Sequence, residues 1–165
     1  MEPGEALGIA AQIAVALAGF AGVVVVFRRE AVHECSALDK LRLRLLLANS
    51  ILPLGFSMIG LFLLAIQPMP PEIWRWCSAI ALMVFLVFVS ATGKSFRRLD
   101  RREIQRDGGT RIMLSFFGVL GIAVTVLQAY NIVFLGAFWP FFAAIVYQLV
   151  TAVVQFARMI LLLPE

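Results

Sequence analysis

The sequence has few of the residues on which soluble enzymes depend. Charged residues make up 15% of its 165 residues, and there are one histidine and two cysteines. A soluble domain carries about one quarter charged residues, so this composition excludes an ordinary water-soluble domain. Because His33 is the one histidine, a single chain cannot hold a haem inside a bilayer between paired axial histidines.

The long apolar runs contain no acidic residue, and the chain lacks the common catalytic motifs. Proton-coupled and cation-coupled transporters usually need ionisable groups inside the membrane, so this absence argues against that class. The sequence has no His-Glu-x-x-His, no Gly-x-Ser-x-Gly and no P-loop motif. His33, Glu34 and Cys35 have no second cluster that would complete a tetrahedral metal site. We therefore expect no enzyme activity, no metal and no cofactor.

Long uncharged runs dominate the chain, which is 62% hydrophobic, and they predict membrane-spanning helices. A helix needs about 20 apolar residues to cross a hydrocarbon core of ~30 Å. The last run, between Arg111 and Arg158, would form a helix of about 70 Å, so we place a turn at Gly136 and Trp139-Pro140. The predicted fold class is an all-α integral membrane bundle of five transmembrane helices. The spans are roughly residues 6–27, 42–67, 73–94, 111–135 and 139–163.

Basic residues gather on one side of the predicted membrane. With five spans, Arg75 is the one base of the 14 that falls on the other side. Basic segments stay in the cytoplasm, so we predict an outside N-terminus and a cytoplasmic C-terminus. Met1–Glu5 carries acids and no base, the reverse of a secretory signal, so the first span is interpreted as a retained helix. Residues 1–165 are treated as a single membrane domain with basic cytoplasmic segments at 28–41 and 95–110.

The second basic segment, at 95–110, is a candidate surface for an anionic partner. Attraction to anionic lipid headgroups is worth about 1 kcal/mol per base near the surface. An acidic protein partner is the alternative, and no fold signature of nucleic-acid binding accompanies the charge. We expect anionic headgroups at the cytoplasmic face and no nucleic acid. The candidate residues are Arg97, Arg98, Arg101, Arg102 and Arg106.

Uncharged polar residues recur at helical spacing inside the predicted spans. Small residues allow helices to approach closely, and side-chain amides hydrogen-bond between helices. One interpretation is therefore that these faces pack against one another, and the other is that the stripe on the fifth span lines a hydrated cavity. The stripe comprises Gln148, Thr151, Gln155 and Arg158 on the fifth span. Similar faces are Gly118, Gly121, Thr125 and Gln128 on the fourth and Gly8, Ala11, Gln12, Ala18, Gly19 and Gly22 on the first.

The second predicted span contains a proline. Pro53 has no N–H to donate and clashes with the carbonyl of Asn49, which predicts a kink and a freed carbonyl in the membrane. Asn49 and Pro53 lie on one face, and Ser50 and Ser57 on another can satisfy loose backbone groups. Such a kink is either structural or a functional hinge.

Two stretches carry a family resemblance. They are Gly19-Phe20-Ala21-Gly22-Val23-Val24 in the first span and Asp39-Lys40-Leu41-Arg42-Leu43-Arg44-Leu45-Leu46 at the start of the second. Roughly residues 8–60 resemble a group of uncharacterised small multi-pass bacterial membrane proteins. The resemblance implies a bacterial inner membrane and carries over no active site.

These observations lead to two expectations of function. The first is a non-catalytic membrane protein that acts by helix association, as a homo-oligomer or as an accessory subunit of a membrane partner. The alternative is a small channel or facilitator that uses the Gln148 stripe and the Pro53 kink. A membrane enzyme has no nucleophile–base pair to support it.

Overall fold

The computed structural model describes residues 2–29, 37–66, 71–97 and 108–161, and these residues are almost entirely helical. In this part of the chain five helices are long and apolar enough to cross a membrane. The predicted all-α class and the five spans are confirmed to that extent. The helices are α1 (Pro3–Arg29), α2 (Ala37–Ile66), α3 (Pro71–Arg97), α4 (Gly108–Tyr130) and α5 (Phe138–Leu161). Their apolar stretches are Pro3–Val24, Lys40–Ile66, Glu72–Lys94, Ser115–Leu135 and Phe138–Met159, within a few residues of the predicted spans.

Large apolar side chains cover the outside of these helices. Phe62, Val87 and Val119 are each about two thirds exposed, and many other aliphatic and aromatic side chains are also exposed. Soluble monomers rarely expose extended apolar surface. In hydrocarbon the arrangement is favourable, because helices satisfy their own backbone hydrogen bonds and present apolar side chains to lipid.

The chain divides into two compact units, and the first is built on α1 and α2. This unit comprises Met1–Pro68 with Ile145–Glu165. Within it α1 packs along α2, and Phe20 contacts Phe156 with ring centroids 5.9 Å apart. The buried face of α1 consists of Leu7 and small residues, a composition that allows close approach of helix backbones. The buried small residues are Ala6, Ala10, Ala14 and Ala21.

The packed face of α1 differs from the one that its glycine pattern predicted. Gly8, Gly19 and Gly22 each have open space where a Cβ would lie. No described atom comes within 4 Å of that position, apart from those of the adjacent residues and the nearby backbone of the same helix. Gln12 beside them is exposed. The prediction that this face packs inside the chain is wrong, because the competing alanine face buries methyl groups that glycines lack. We call the predicted set, Gly8, Ala11, Gln12, Ala18, Gly19 and Gly22, the outer face of α1.

The second unit, Met69–Ala144, contains the predicted turn. Here α4 continues into a π-helical segment, Asn131–Leu135, and α3 packs against both. Gly136 ends the segment with a φ of 58°, and its N–H donates to the carbonyl of Asn131 at 2.9 Å. Glycine adopts this left-handed conformation without steric cost. The turn predicted at Gly136 is confirmed, whereas the π-helical segment was not predicted.

The Asn131 side chain holds this turn together. Its Nδ2 donates to the Ser78 hydroxyl at 2.7 Å and to the Ala137 carbonyl at 3.0 Å. Its Oδ1 accepts the Ala137 N–H at 2.9 Å. Asn131 is fully buried. One side chain therefore links α3, the end of α4 and the residue before α5.

We expect Asn131→Leu to destabilise the protein more than Ser78→Ala. The first change leaves the polar groups of Ala137 unpaired in an apolar interior, at about 1–3 kcal/mol per group. The second removes one of the three bonds. Thermal unfolding of both variants in detergent measures the difference. Equal loss of stability in the two variants would mean that the bonds to Ala137 do not stabilise the turn.

Candidate polar site in the apolar interior

The polar stripe of α5 lies largely inside the protein. Gln148 has 0% exposure and Thr151 has 3%. Gln155 and Arg158 are half-buried, and Arg158 lies in the last turn of the helix. The stripe therefore does not present its central amide to lipid, and the partners of each polar group determine what the stripe can do.

The structure brings one predicted residue of α2 against the stripe. The Asn49 Nδ2 donates to the Gln155 Oε1 at 3.3 Å. Asn49 is buried, and Pro53, one turn along α2, is fully buried. Because proline has no N–H, the Asn49 carbonyl lacks its ordinary donor within the helix. Two residues that were singled out separately in the sequence thus form one contact.

Two hydroxyls near this contact are satisfied within their own helices. Thr151 Oγ1 donates to the Tyr147 carbonyl at 2.7 Å. Ser50 Oγ donates to the Leu46 carbonyl at 2.9 Å. Bonds of this kind to a carbonyl four residues back are common for serine and threonine in helices. Each hydroxyl therefore donates its single proton within its own helix.

Two other groups in the same unit have no such partner. Both amide atoms of Gln148 and the hydroxyl oxygen of Ser57 are buried without a hydrogen-bond partner among the described residues. Both side chains have 0% exposure. A buried polar group without a partner costs about 1–3 kcal/mol, and such groups in native proteins often mark a function or a bound molecule.

The polar residues of α4 belong to the second unit and make their own contacts there. Thr125 Oγ1 donates to the Gly121 carbonyl at 2.7 Å. Gln128 Nε2 donates to the Pro140 carbonyl at 2.7 Å, which links α4 to the first turn of α5. The Gln128 Oε1 is buried without a partner in the described chain. Gln128 therefore supports the same turn as Asn131.

The predicted basic surface falls largely beyond what the structure covers. Arg97 is the last residue of α3, and its side chain is not among those described. The remaining residues of that surface, Arg98, Arg101, Arg102 and Arg106, lie outside the described residues.

Comparison of the chain with protein-family models, with characterised proteins and with solved structures gives no match. The candidate site is consequently defined by its own residues. We name it the α2–α5 polar site. It comprises the Asn49–Gln155 contact and the neighbouring Pro53, together with the two unpartnered side chains of the same unit, Ser57 on α2 and Gln148 on α5.

A double-mutant cycle tests the contact between Asn49 and Gln155. Asn49→Leu and Gln155→Leu, alone and combined, are expected to show a coupling of roughly 0.6 kcal/mol, typical of side-chain hydrogen bonds between membrane helices. Unfolding in detergent measures each free energy. Pairing Gln155→Leu with Thr151→Val provides the control, since Thr151 bonds its own helix. Coupling of equal size in the Asn49–Gln155 pair and in the Thr151–Gln155 pair would contradict a stabilising hydrogen bond between Asn49 and Gln155.

Proposed function

We propose that this chain is a multi-pass protein of a bacterial inner membrane that acts without catalysis, by associating with a second copy of itself. Its N-terminus lies outside and its C-terminus lies in the cytoplasm. The observation that carries the proposal is an exposed glutamine in the middle of the α1 span. The orientation and the association rest on different residues and have separate tests.

Charge and aromatic residues support the orientation. Trp76 and Trp139 are 66% and 56% exposed, and both lie near the outer ends of their spans in the proposed topology. Tryptophan is enriched at membrane interfaces, and basic segments remain cytoplasmic. In this topology the arginines from Arg97 to Arg106 face the anionic headgroups of the cytoplasmic leaflet.

Labelling of single cysteines tests the orientation. In a chain with Cys35 and Cys77 replaced by alanine, a membrane-impermeant maleimide on intact spheroplasts should label Glu2→Cys and Arg75→Cys. It should label Lys94→Cys only after the membrane is opened. All three native side chains are exposed, so accessibility differs by side of the membrane alone. Labelling of Lys94→Cys in sealed spheroplasts would contradict the orientation.

Gln12 is the exposed amide on the outer face of α1. It lies near the middle of the Pro3–Val24 stretch, about 14 Å from Pro3 at ~1.5 Å per residue. That depth is too great for its side chain to reach the headgroups. Among the described residues of the five spans, every other side-chain amide is buried or hydrogen-bonded, whereas Gln12 is exposed without a described hydrogen-bond partner.

A second copy of the chain satisfies this amide better than lipid does. Two copies inserted in the same orientation bring their α1 helices together in parallel, and two-fold symmetry places each residue opposite itself. Glutamine is self-complementary, because its amide both donates and accepts. Gly8 and Gly19 leave open space beside it, which allows the close backbone approach typical of small-residue helix pairs.

Cysteine cross-linking in native membranes tests this association. In the chain without Cys35 and Cys77, Ala11→Cys should form a disulfide-linked dimer on mild oxidation. Ile13→Cys is the matched control, at nearly the same depth but about 160° around the helix. Adding Gln12→Leu should weaken dimerisation by roughly 1 kcal/mol, because the symmetric pair loses two amide hydrogen bonds of about 0.6 kcal/mol each.

The cross-linking outcome is decisive in both directions. A dimer from Ala11→Cys that Gln12→Leu reduces supports association through the outer face of α1. Recovery of monomer alone, or equal cross-linking at positions 11 and 13, contradicts it.

A second candidate function is a small channel or facilitator, and the unpartnered amide of Gln148 favours it. Because Gln148 is fully buried, passage through one copy requires movement of α2 or α5. The bend that Pro53 permits in α2 supplies a place for such movement.

A further inference from the structure

We propose that the α2–α5 polar site binds one small uncharged molecule as that molecule crosses the membrane, and that the molecule both donates and accepts hydrogen bonds and has a size between water and urea. This inference uses the alternating spans of the proposed topology and goes beyond self-association through α1. It rests on two side chains, Gln148 and Ser57, whose polar atoms are buried without partners.

The register of α2 and α5 puts the unpartnered groups at one depth. If successive spans alternate in direction, α2 and α5 run oppositely, and the Asn49–Gln155 contact fixes their relative position. Eight residues along α2 lead to Ser57, and seven residues back along α5 lead to Gln148. At ~1.5 Å per residue these positions lie about 12 Å and about 10 Å beyond the contact, in the same direction.

The unpaired hydrogen-bond donors and acceptors of the site define the chemistry of its ligand. The Gln148 amide offers two donor hydrogens and an acceptor oxygen, and the Ser57 hydroxyl offers one proton and an acceptor. A ligand that satisfies these groups must carry an O–H or N–H together with a carbonyl or hydroxyl oxygen. Neutral amides, small alcohols and water have this character, and hydrocarbons do not.

The surroundings exclude a charged ligand. The sequence has no charged residue between Arg44 and Glu72 or between Arg111 and Arg158. Arg158 lies about 15 Å along α5 from Gln148 at ~1.5 Å per residue. An ion at the site would therefore have no nearby countercharge in an apolar interior, which is strongly unfavourable.

The same burial limits the ligand's size. Gln148 and Ser57 have 0% exposure, so the closed structure leaves little free volume beside them. A bound molecule enters when α2 bends at Pro53, where the helix lacks one backbone hydrogen bond. A site that opens by a local bend fits a molecule of a few heavy atoms.

Stopped-flow light scattering on proteoliposomes tests the proposal with water, formamide and urea as probes. The native chain should raise permeability to at least one probe over protein-free vesicles. Gln148→Leu should return that permeability to the protein-free value, Ser57→Ala should reduce it severalfold, and Gln148→Asn should retain part of it. Ser50→Ala is the matched buried control for Ser57→Ala and should leave permeability unchanged, because the Ser50 hydroxyl donates within its own helix.

Two controls distinguish a loss of permeability at the site from effects on folding and on self-association. Gln148→Leu removes no described hydrogen bond, so its melting temperature in detergent should equal or exceed that of the native chain. Gln12→Leu disrupts the proposed dimer and should leave permeability unchanged, so either proposal can fail alone. Permeability equal to protein-free vesicles for water, formamide and urea, or raised permeability that persists in folded Gln148→Leu, overturns the site.

Discussion

Five helices of the described chain are long and apolar enough to cross a membrane, and in hydrocarbon a polar group must find its partner within the protein. The five long helices satisfy their backbones internally. Most polar side chains follow the same rule. Thr151 and Thr125 donate to their own helices, and Asn49 donates to Gln155. Aliphatic and aromatic side chains are then free to cover the outside.

The constraint is strongest where the chain reverses direction, because a turn exposes backbone groups that a helix would satisfy. At the turn before α5 the protein uses side-chain amides in place of helical partners. Asn131 pairs with both polar groups of Ala137, and Gln128 donates to the Pro140 carbonyl. Gly136 supplies the positive φ that the reversal needs. Proline near the start of α5 costs little, since a first-turn N–H has no helical acceptor.

The sequence allowed the helices and the Gly136 turn to be predicted, because hydropathy and turn residues act locally. The role of Asn131 was not predictable, since a single asparagine in an apolar run has no periodic signal. The packed face of α1 was predicted wrongly for a related reason. Glycine and alanine stripes both have helical spacing, and burial of methyl groups decides between them. The Asn49–Gln155 contact required the tertiary arrangement, although each residue had been singled out for its polarity.

Two amides have no described hydrogen-bond partner at either the nitrogen or the oxygen, and their surroundings are opposite. Gln12 is exposed beside glycines with open space, so a whole helix can approach it from the lipid side. Gln148 has no exposed surface, so a helix cannot reach its amide from outside. In the functions proposed above, the amide in α1 pairs with a second copy of the chain and the amide in α5 with a small neutral ligand. The exposure of each amide, rather than its residue type, underlies this assignment.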